Sequence, residues 1–373
     1  MAPSFRSKLD ARPQRKLLAL DGGGIRGMMT VEILAAIEAL LQKRLGFDDS
    51  FVLADYFDYI AGTSTGAIIA TCLSLGMRVD AVRQFYIKSG PAMFNRAALL
   101  RQLRYKFEDE PLAKTLQDVI GADTTLGSEK LCTLLMMVLR NATTDSPWPL
   151  SNNPAAKFCA LDRDDCNLRL PLWQLVRAST AAPTYFPPEM IDIGKRRFIF
   201  VDGGVTMYNN PAFQLFLMAT AEPYHLRWET GRDRMLVVSI GTGTAANANE
   251  NLREGQMNLL YNASSIPSAL MFAALNEQDF LCRVFGDTLA GDPLDREVGD
   301  MIGKKGPTRE KLFTYLRYNA ELTREGLDAL ELPRIKPETV QKLDSIAGIP
   351  QLQKVGRAVA DRKIKPEHFD GFV

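Results

Sequence analysis

The stretch Phe57-Asp58-Tyr59-Ile60-Ala61-Gly62-Thr63-Ser64-Thr65-Gly66 decides the fold. Its apolar half reads as a short buried strand, and the residues after it, to about Leu75, carry a helical pattern. Between the two the chain must turn sharply at Ser64. A G-x-S-x-G sequence in this strand–turn–helix setting is a nucleophile elbow. Gly62 and Gly66 let neighbouring segments pass without a clash. Ser64 then projects its hydroxyl at a helix N-terminus, where the dipole and free N–H groups favour negative charge. Taken alone, the pentapeptide also reads as a Gly-rich turn with a serine N-cap.

Upstream, Lys16-Leu17-Leu18-Ala19-Leu20 reads as another buried strand, stopped by Asp21-Gly22-Gly23-Gly24-Ile25-Arg26-Gly27. Ile33, Leu34, Ile37, Leu40 and Leu41 then recur at helical spacing, with Gly46 placed to end the helix. Consecutive glycines at a strand-to-helix junction let backbone N–H groups converge, which suits a phosphate or an oxyanion. Gly22-x-Gly24-x-x-Gly27 also satisfies the dinucleotide fingerprint. The acidic strand end required some 20 residues on is missing: Lys43-Arg44-Leu45-Gly46-Phe47-Asp48 is a helix end. There is no G-K-[ST] ending either, and a ligand-free tight turn stays open.

Downstream, Cys132–Leu139, Lys157–Ala160, Arg197–Val201 and Met235–Ile240 read as strands with helical patterns between them. Alternating strands and helices predict a mostly parallel sheet covered on both faces. After about 245 the pattern turns helical, with Ser265–Val284, Arg309–Arg317, Pro337–Ile346 and Gln351–Arg362 as helix candidates. No linker or repeat divides the chain. The expected organisation is a flexible basic tail over 1–15, an α/β core over 16–245, and a helical extension over 246–373 packed on the same domain.

A serine nucleophile needs a base within hydrogen-bond reach. Phe198-Ile199-Phe200-Val201-Asp202-Gly203-Gly204, followed by Asn209-Asn210-Pro211, puts a carboxylate at the end of a buried strand. Only two histidines are present, His225 and His368. The order Ser64, Asp202, His matches a hydrolase triad, but neither histidine follows a strand with loop glycines, and both read as surface residues.

The Ser elbow, the glycine nest and the strand-end Asp together resemble the patatin-like phospholipase family. Two further stretches are similar to it: Arg177-Ala178-Ser179-Thr180-Ala181-Ala182-Pro183-Thr184-Tyr185-Phe186-Pro187-Pro188, and Val238-Ser239-Ile240-Gly241-Thr242-Gly243. These motifs run from 16 to about 243. The resemblance implies a three-layer α/β/α fold and a Ser64–Asp202 dyad without a catalytic histidine. It also implies an oxyanion hole from the N–H groups of Gly23, Gly24 and Thr65. Gly22, Arg26, Gly27, Gly62, Gly66, Gly203 and Gly204 are its supporting motif positions, Arg26 fixing the loop or approaching an anion. The implied substrates are acyl esters, above all membrane phospholipids, with no metal or cofactor. An esterase or thioesterase on soluble substrates would share the dyad, and a non-catalytic phosphate- or nucleotide-binding module would need only the glycine loop. The layout is also similar to bacterial antiphage effectors switched on by a cyclic nucleotide. That adds such an activator, and a second copy of the chain, to the partners the resemblance allows.

With 45 Lys and Arg against 44 Asp and Glu, net charge argues neither for nor against nucleic acid, and no nucleic-acid polymer is among the expected partners. Five cysteines (Cys72, Cys132, Cys159, Cys166, Cys282) without C-x-x-C spacing fit a reducing, cytoplasmic compartment. No stretch approaches the roughly 18 apolar residues of a membrane span, so lipid would be met peripherally. Arg78, Arg83, Lys88, Arg96, Arg101, Arg104 and Lys106, interleaved with apolar residues, form a candidate lipid-facing cap; ordinary amphipathic helices are the alternative. Ser265–Leu275 is a candidate acyl-pocket lining or a plain buried helix.

Overall fold

A computed structural model describes residues 4–94, 110–183, 186–245 and 259–373. Its strands are β1 (Arg15–Leu20), β2 (Tyr59–Thr63), β3 (Leu134–Asn141), β4 (Ser146–Ser151), β5 (Glu189–Ile193), β6 (Arg196–Asp202), β7 (Met235–Ile240), β8 (Asp287–Ala290) and β9 (Thr314–Tyr318). The helices that frame the site are α1 (Gly27–Leu45), α2 (Thr65–Ser74), α3 (Val79–Phe94), α4 (Leu172–Ser179), α5 (Ala212–Thr220), α6 (Leu259–Phe285) and α7 (Ile349–Lys363).

Among the described residues nine strands form one sheet, ordered β5-β6-β3-β2-β1-β7-β9-β8, with β4 also on β3. Neighbours from β3 through β8 run parallel, whereas β4, β5 and β6 pair antiparallel. Strands β2 and β7 are buried along their whole length, as parallel strands covered on both faces must be. Helices α5 and α6 pack on β1, β7, β8 and β9; α2 and α4 pack on β2 and β3, and α1 lies against α3 and α7. This is the three-layer α/β/α architecture expected.

One register detail brings the two chemical strand ends together. Strand β3 outruns β2. Its residues 134–138 pair with β2, while β4 occupies the opposite edge from 136 to 141. The edge that β2 vacates at 139–141 is taken by β6, with Leu139 opposite Asp202. Asp202 therefore sits one step beyond the Thr63–Val138 pair, where the chain turns at Ser64.

Several expectations are corrected. Of the expected tail, the described residues from Ser4 on are docked: Phe5–Lys8 form a 3-10 turn, Phe5 is fully buried, and its N–H donates to Leu131 O at 2.6 Å. A single aromatic in a polar segment is enough apolar area to dock it. Lys157–Cys159 is a 3-10 turn rather than a strand. Arg309–Arg317 is not a helix: Thr314–Tyr318 is β9, with every residue buried, in keeping with its β-branched and aromatic content. Of Pro337–Ile346, only Pro337–Val340 is α-helical. The expected boundary at 245 thus falls between strands of a single sheet.

Candidate active site

Ser64 caps α2 with φ 54° and ψ −123°, a region costing a non-glycine residue roughly 1–3 kcal/mol. The surroundings fix this strain. A Cβ on Gly62 would lie 2.1 Å from Gly66 O, so the crossing of strand and helix tolerates no side chain there. The Ser64 N–H donates to Ser179 Oγ at 3.0 Å, and Ser179 Oγ donates to Val138 O at 2.7 Å. Ser179, at the end of α4, thereby ties the elbow to β3.

The Ser64 hydroxyl donates to Asp202 Oδ2 at 2.6 Å, within the range of a charge-assisted O–H···O⁻ bond. The other carboxylate oxygen accepts the Gly204 N–H at 2.6 Å. Burial pushes the Asp202 carboxyl up to about 6, against the opposing pull of the Ser64 and Gly204 hydrogen bonds. An Asp at about 6 is a far better proton acceptor near neutrality than one at the usual 3.9.

The glycine loop lies against the serine: a Cβ on Gly22 would stand 3.2 Å from Ser64 Cβ and 2.3 Å from Asn209 Oδ1. Its backbone is pinned on both sides. Gly22 N–H donates to Asn209 O at 3.1 Å, Thr242 Oγ1 donates to Gly22 O at 2.7 Å, and Ile25 N–H donates to Leu343 O at 2.9 Å. The N–H groups of Gly23 and Gly24 donate to no acceptor among the described residues. Thr65 opens α2, so its N–H has no partner within the helix. Gly27 and Gly203 are buried at the same junctions. Arg26 meets the loop through its backbone, whose N–H donates to Gly23 O at 3.2 Å. Its Nε is buried without a partner, and burial lowers its guanidinium to about 10.

Behind the loop, Asp21 is fully buried and gripped at both oxygens by Arg317, at 2.9 and 2.6 Å. Sequence reasoning missed Arg317, Leu343 and the role of Thr242. The signal for Arg317 was an arginine within an apolar run, which a buried carboxylate must answer.

The histidines stand apart. His225 is exposed on a left-handed turn. His368, expected at the surface, is buried, with its ring Nδ1 2.8 Å from Tyr318 Oη. Neither bonds to Ser64 or Asp202. Of the candidate cap, Arg78 meets Phe51 O and Glu38, and Arg83 meets Glu32 and Asp80, while Lys88 is exposed. Phe85 and Tyr86 belong to the core. Arg96, Arg101, Arg104 and Lys106 lie outside the described residues. Within Ser265–Leu275, Leu270 is exposed and Leu275 is buried. All five cysteines are free and buried, and among the described residues no helix is long and apolar enough to cross a membrane.

A family model described as patatin-like phospholipase matches residues 18–216, a span that includes the glycine loop, Ser64 and Asp202. The chain is 32% identical over 214 residues to a cGAMP-activated phospholipase of Vibrio cholerae, covering 54% of this chain and 56% of that protein. It is 30% identical over 238 residues to a cGAMP-activated phospholipase of Escherichia coli, covering 62% and 63%. It is 29% identical over 327 residues to patatin-like protein 1 of Arabidopsis thaliana, covering 74% and 75%. The chain thus spans less than two thirds of the length of the two bacterial relatives.

Proposed function

Because the chain belongs to the patatin-like phospholipase family, we propose that it hydrolyses acyl esters of phospholipids with Ser64 as nucleophile and Asp202 as its base. The observation that carries this reading is the 2.6 Å contact between Ser64 Oγ and Asp202 Oδ2. Ser64 Oγ attacks the ester carbonyl carbon as its proton passes to Asp202. The carbonyl oxygen, now negative, is held by the N–H groups of Gly23, Gly24 and Thr65; one such donor is worth about 3 kcal/mol. Collapse expels the lysolipid alcohol, which takes the proton from Asp202. Water, deprotonated by Asp202, then releases the fatty acid and frees Ser64.

Exposed Val205 and Met207, directly after Asp202-Gly203-Gly204, support a lipid over a soluble ester, since apolar groups at the mouth can enter an interface. The enzyme would act in the cytoplasm on a membrane surface. The bacterial relatives are named for activation by cGAMP, and we extend control by a cyclic dinucleotide to this chain.

The test is fatty-acid release from mixed phospholipid vesicles, with and without cGAMP. Ser64→Ala and Asp202→Asn should each abolish it, and a His225→Ala/His368→Ala variant that retains its fold should keep it. Loss only in the histidine variant would refute the dyad.

A further inference from the structure

A cavity of about 890 Å3 opens between β4, the 3-10 turn Lys157–Cys159, the β5–β6 hairpin and the end of α5. Small-molecule sites run from roughly 300 to 1,000 Å3. Leu150, Ile193, Phe198 and Met218 are buried in its walls, and half-buried Trp148 packs on Phe198 with ring centres 5.3 Å apart. Phe158, also in the lining, stays 47% exposed. An apolar hollow of this size, with an aromatic ring left in water at its edge, suits an apolar occupant.

The cavity is separate from the proposed catalytic cleft. Neither Ser64 nor Asp202 nor any of the oxyanion donors lines it. Phe198 stands four residues before Asp202 on β6, roughly 13 Å along the strand, and the fully buried Phe200 lies between them.

The polar groups of the lining specify one end of the occupant. Arg196 lays its guanidinium over the Phe198 ring at 4.9 Å, and Lys157 its ammonium over the Phe158 ring at 5.6 Å. These contacts hold both cations against the aromatic lining. Neither they nor Lys195, the third cation of the lining, meets a carboxylate among the described residues. Of the two acids in the lining, Asp165 is taken at both oxygens by Arg163, at 2.7 and 2.9 Å. Asp164 is left alone against three unpaired cations. Asn167 adds a neutral group: it is only 9% exposed, it lines the cavity, and its side-chain amide makes no hydrogen bond among the described residues. A nearly buried amide calls for a partner. These groups share one end of the cavity. The hairpin tip packs on their loop, where a Cβ on Gly194 would lie 3.4 Å from Asp165 Cβ, and Arg163 stacks on Phe158 at 5.0 Å. The fit is to a long apolar body ending in one anion.

We propose that this cavity binds a free long-chain fatty acid, its chain against Trp148, Phe198 and Met218 and its carboxylate among Lys157, Lys195, Arg196 and Asn167. The reaction proposed above releases such a molecule, so the choice of a fatty acid among apolar anions rests on that reading; the site itself does not. The test is displacement of the fluorescent fatty acid cis-parinarate from the full chain, below the micellar range. Oleate should displace it. Oleyl alcohol, which keeps the chain and lacks the charge, should compete at least tenfold more weakly, and octanoate more weakly than oleate. Lys157→Glu/Arg196→Glu, at exposed positions, should weaken oleate binding by about tenfold or more. Asn167→Leu, checked for an unchanged melting profile, should weaken it as well. Lys304→Glu/Lys305→Glu, the same charge change outside the lining, should bind as the wild type does. Prior labelling of Ser64 with a fluorophosphonate should leave displacement unchanged. No displacement by oleate, equal binding by the cavity and control charge variants, or competition by oleyl alcohol as strong as that by oleate overturns the proposal. Loss of binding on labelling Ser64 moves the fatty acid to the catalytic cleft, and phosphatidylglycerol vesicles that compete as well as oleate make the cavity a membrane contact; either result also overturns it. Binding that the cavity variants abolish in a protein whose Ser64 is never labelled upholds the site and refutes the hydrolase reading instead.

Discussion

At the scale of single residues the site is governed by one buried carboxylate. Asp202 is 4% exposed, and burial raises it to about 6. If Asp202 is the base proposed above, only its ionised form can take the Ser64 proton, so kcat/KM for a soluble ester should fall tenfold per unit as pH drops below about 6 and level off above it. The same shift has a stability cost whose sign is opposite to that of a salt-bridged Asp. The folded protein holds this proton more tightly than the unfolded chain, so stability declines as pH rises from about 4 to about 6. At one unit per 1.36 kcal/mol the decline is about 3 kcal/mol. Asp202→Asn carries no charge and escapes it. Denaturant melts should therefore show the variant gaining on the wild type between pH 4 and pH 6, with no further gain above. A constant difference across that range would mean that Asp202 is not the group that titrates. Stability given up at a reactive centre is a common trade.

The elements that deliver these residues were legible to different degrees. The Ser64 elbow and the glycine loop were readable because their geometry is local: an apolar strand, small residues and a helix within some ten positions. Asp202 was readable as a strand end, but its pairing with Ser64 came only from the family resemblance, since the meeting depends on β2 and β6 sharing one edge of β3 in succession. Strand β9 was missed outright. Its five residues include a charge whose partner, Asp21, lies 296 positions away, and local periodicity carries no trace of such pairing. At Arg78 and Arg83 the basic run was misread for a related reason: both answer buried carboxylates of α1. The structure draws attention instead to the 3-10 turn Gly203–Val205 and the residues after it, where Val205 and Met207 are 40% and 49% exposed. If this edge meets lipid, Val205→Glu and Met207→Glu should each cut hydrolysis of anionic vesicles by about tenfold, through lost apolar insertion and repulsion from the headgroups. Turnover of a short soluble ester should stay within about twofold. Equal losses on both substrates would place these residues inside the cleft and not at an interface.

Across the whole molecule the C-terminal third is built into the proposed site, because Arg317, which grips Asp21 at the start of the glycine loop, comes from it. Arg317 and Asp21 are both essentially excluded from water and form a bidentate pair. Arg317 also approaches Asp279, which Arg283 holds in turn, so a chain of buried charges runs from the loop into α6. Such a pair need not add net stability over an apolar replacement, but losing one partner leaves the other charged and buried, at about 3–5 kcal/mol. Arg317→Met should thus destabilise the protein by that order in chemical melts and slow labelling of Ser64, since Asp21 and the N–H groups that follow it lose their anchor. Adding Asp21→Asn removes the stranded charge. The double variant should therefore recover much of the stability, and a double-mutant cycle should return a coupling well above the few tenths of a kcal/mol expected of independent sites. Labelling should not recover with it, because a neutral side chain at 21 still lacks the guanidinium that oriented the loop. If stability and labelling return together, the ion pair only holds the fold. If stability returns and labelling does not, the buried pair is what positions the oxyanion donors, and the C-terminal strands are part of the active site's construction.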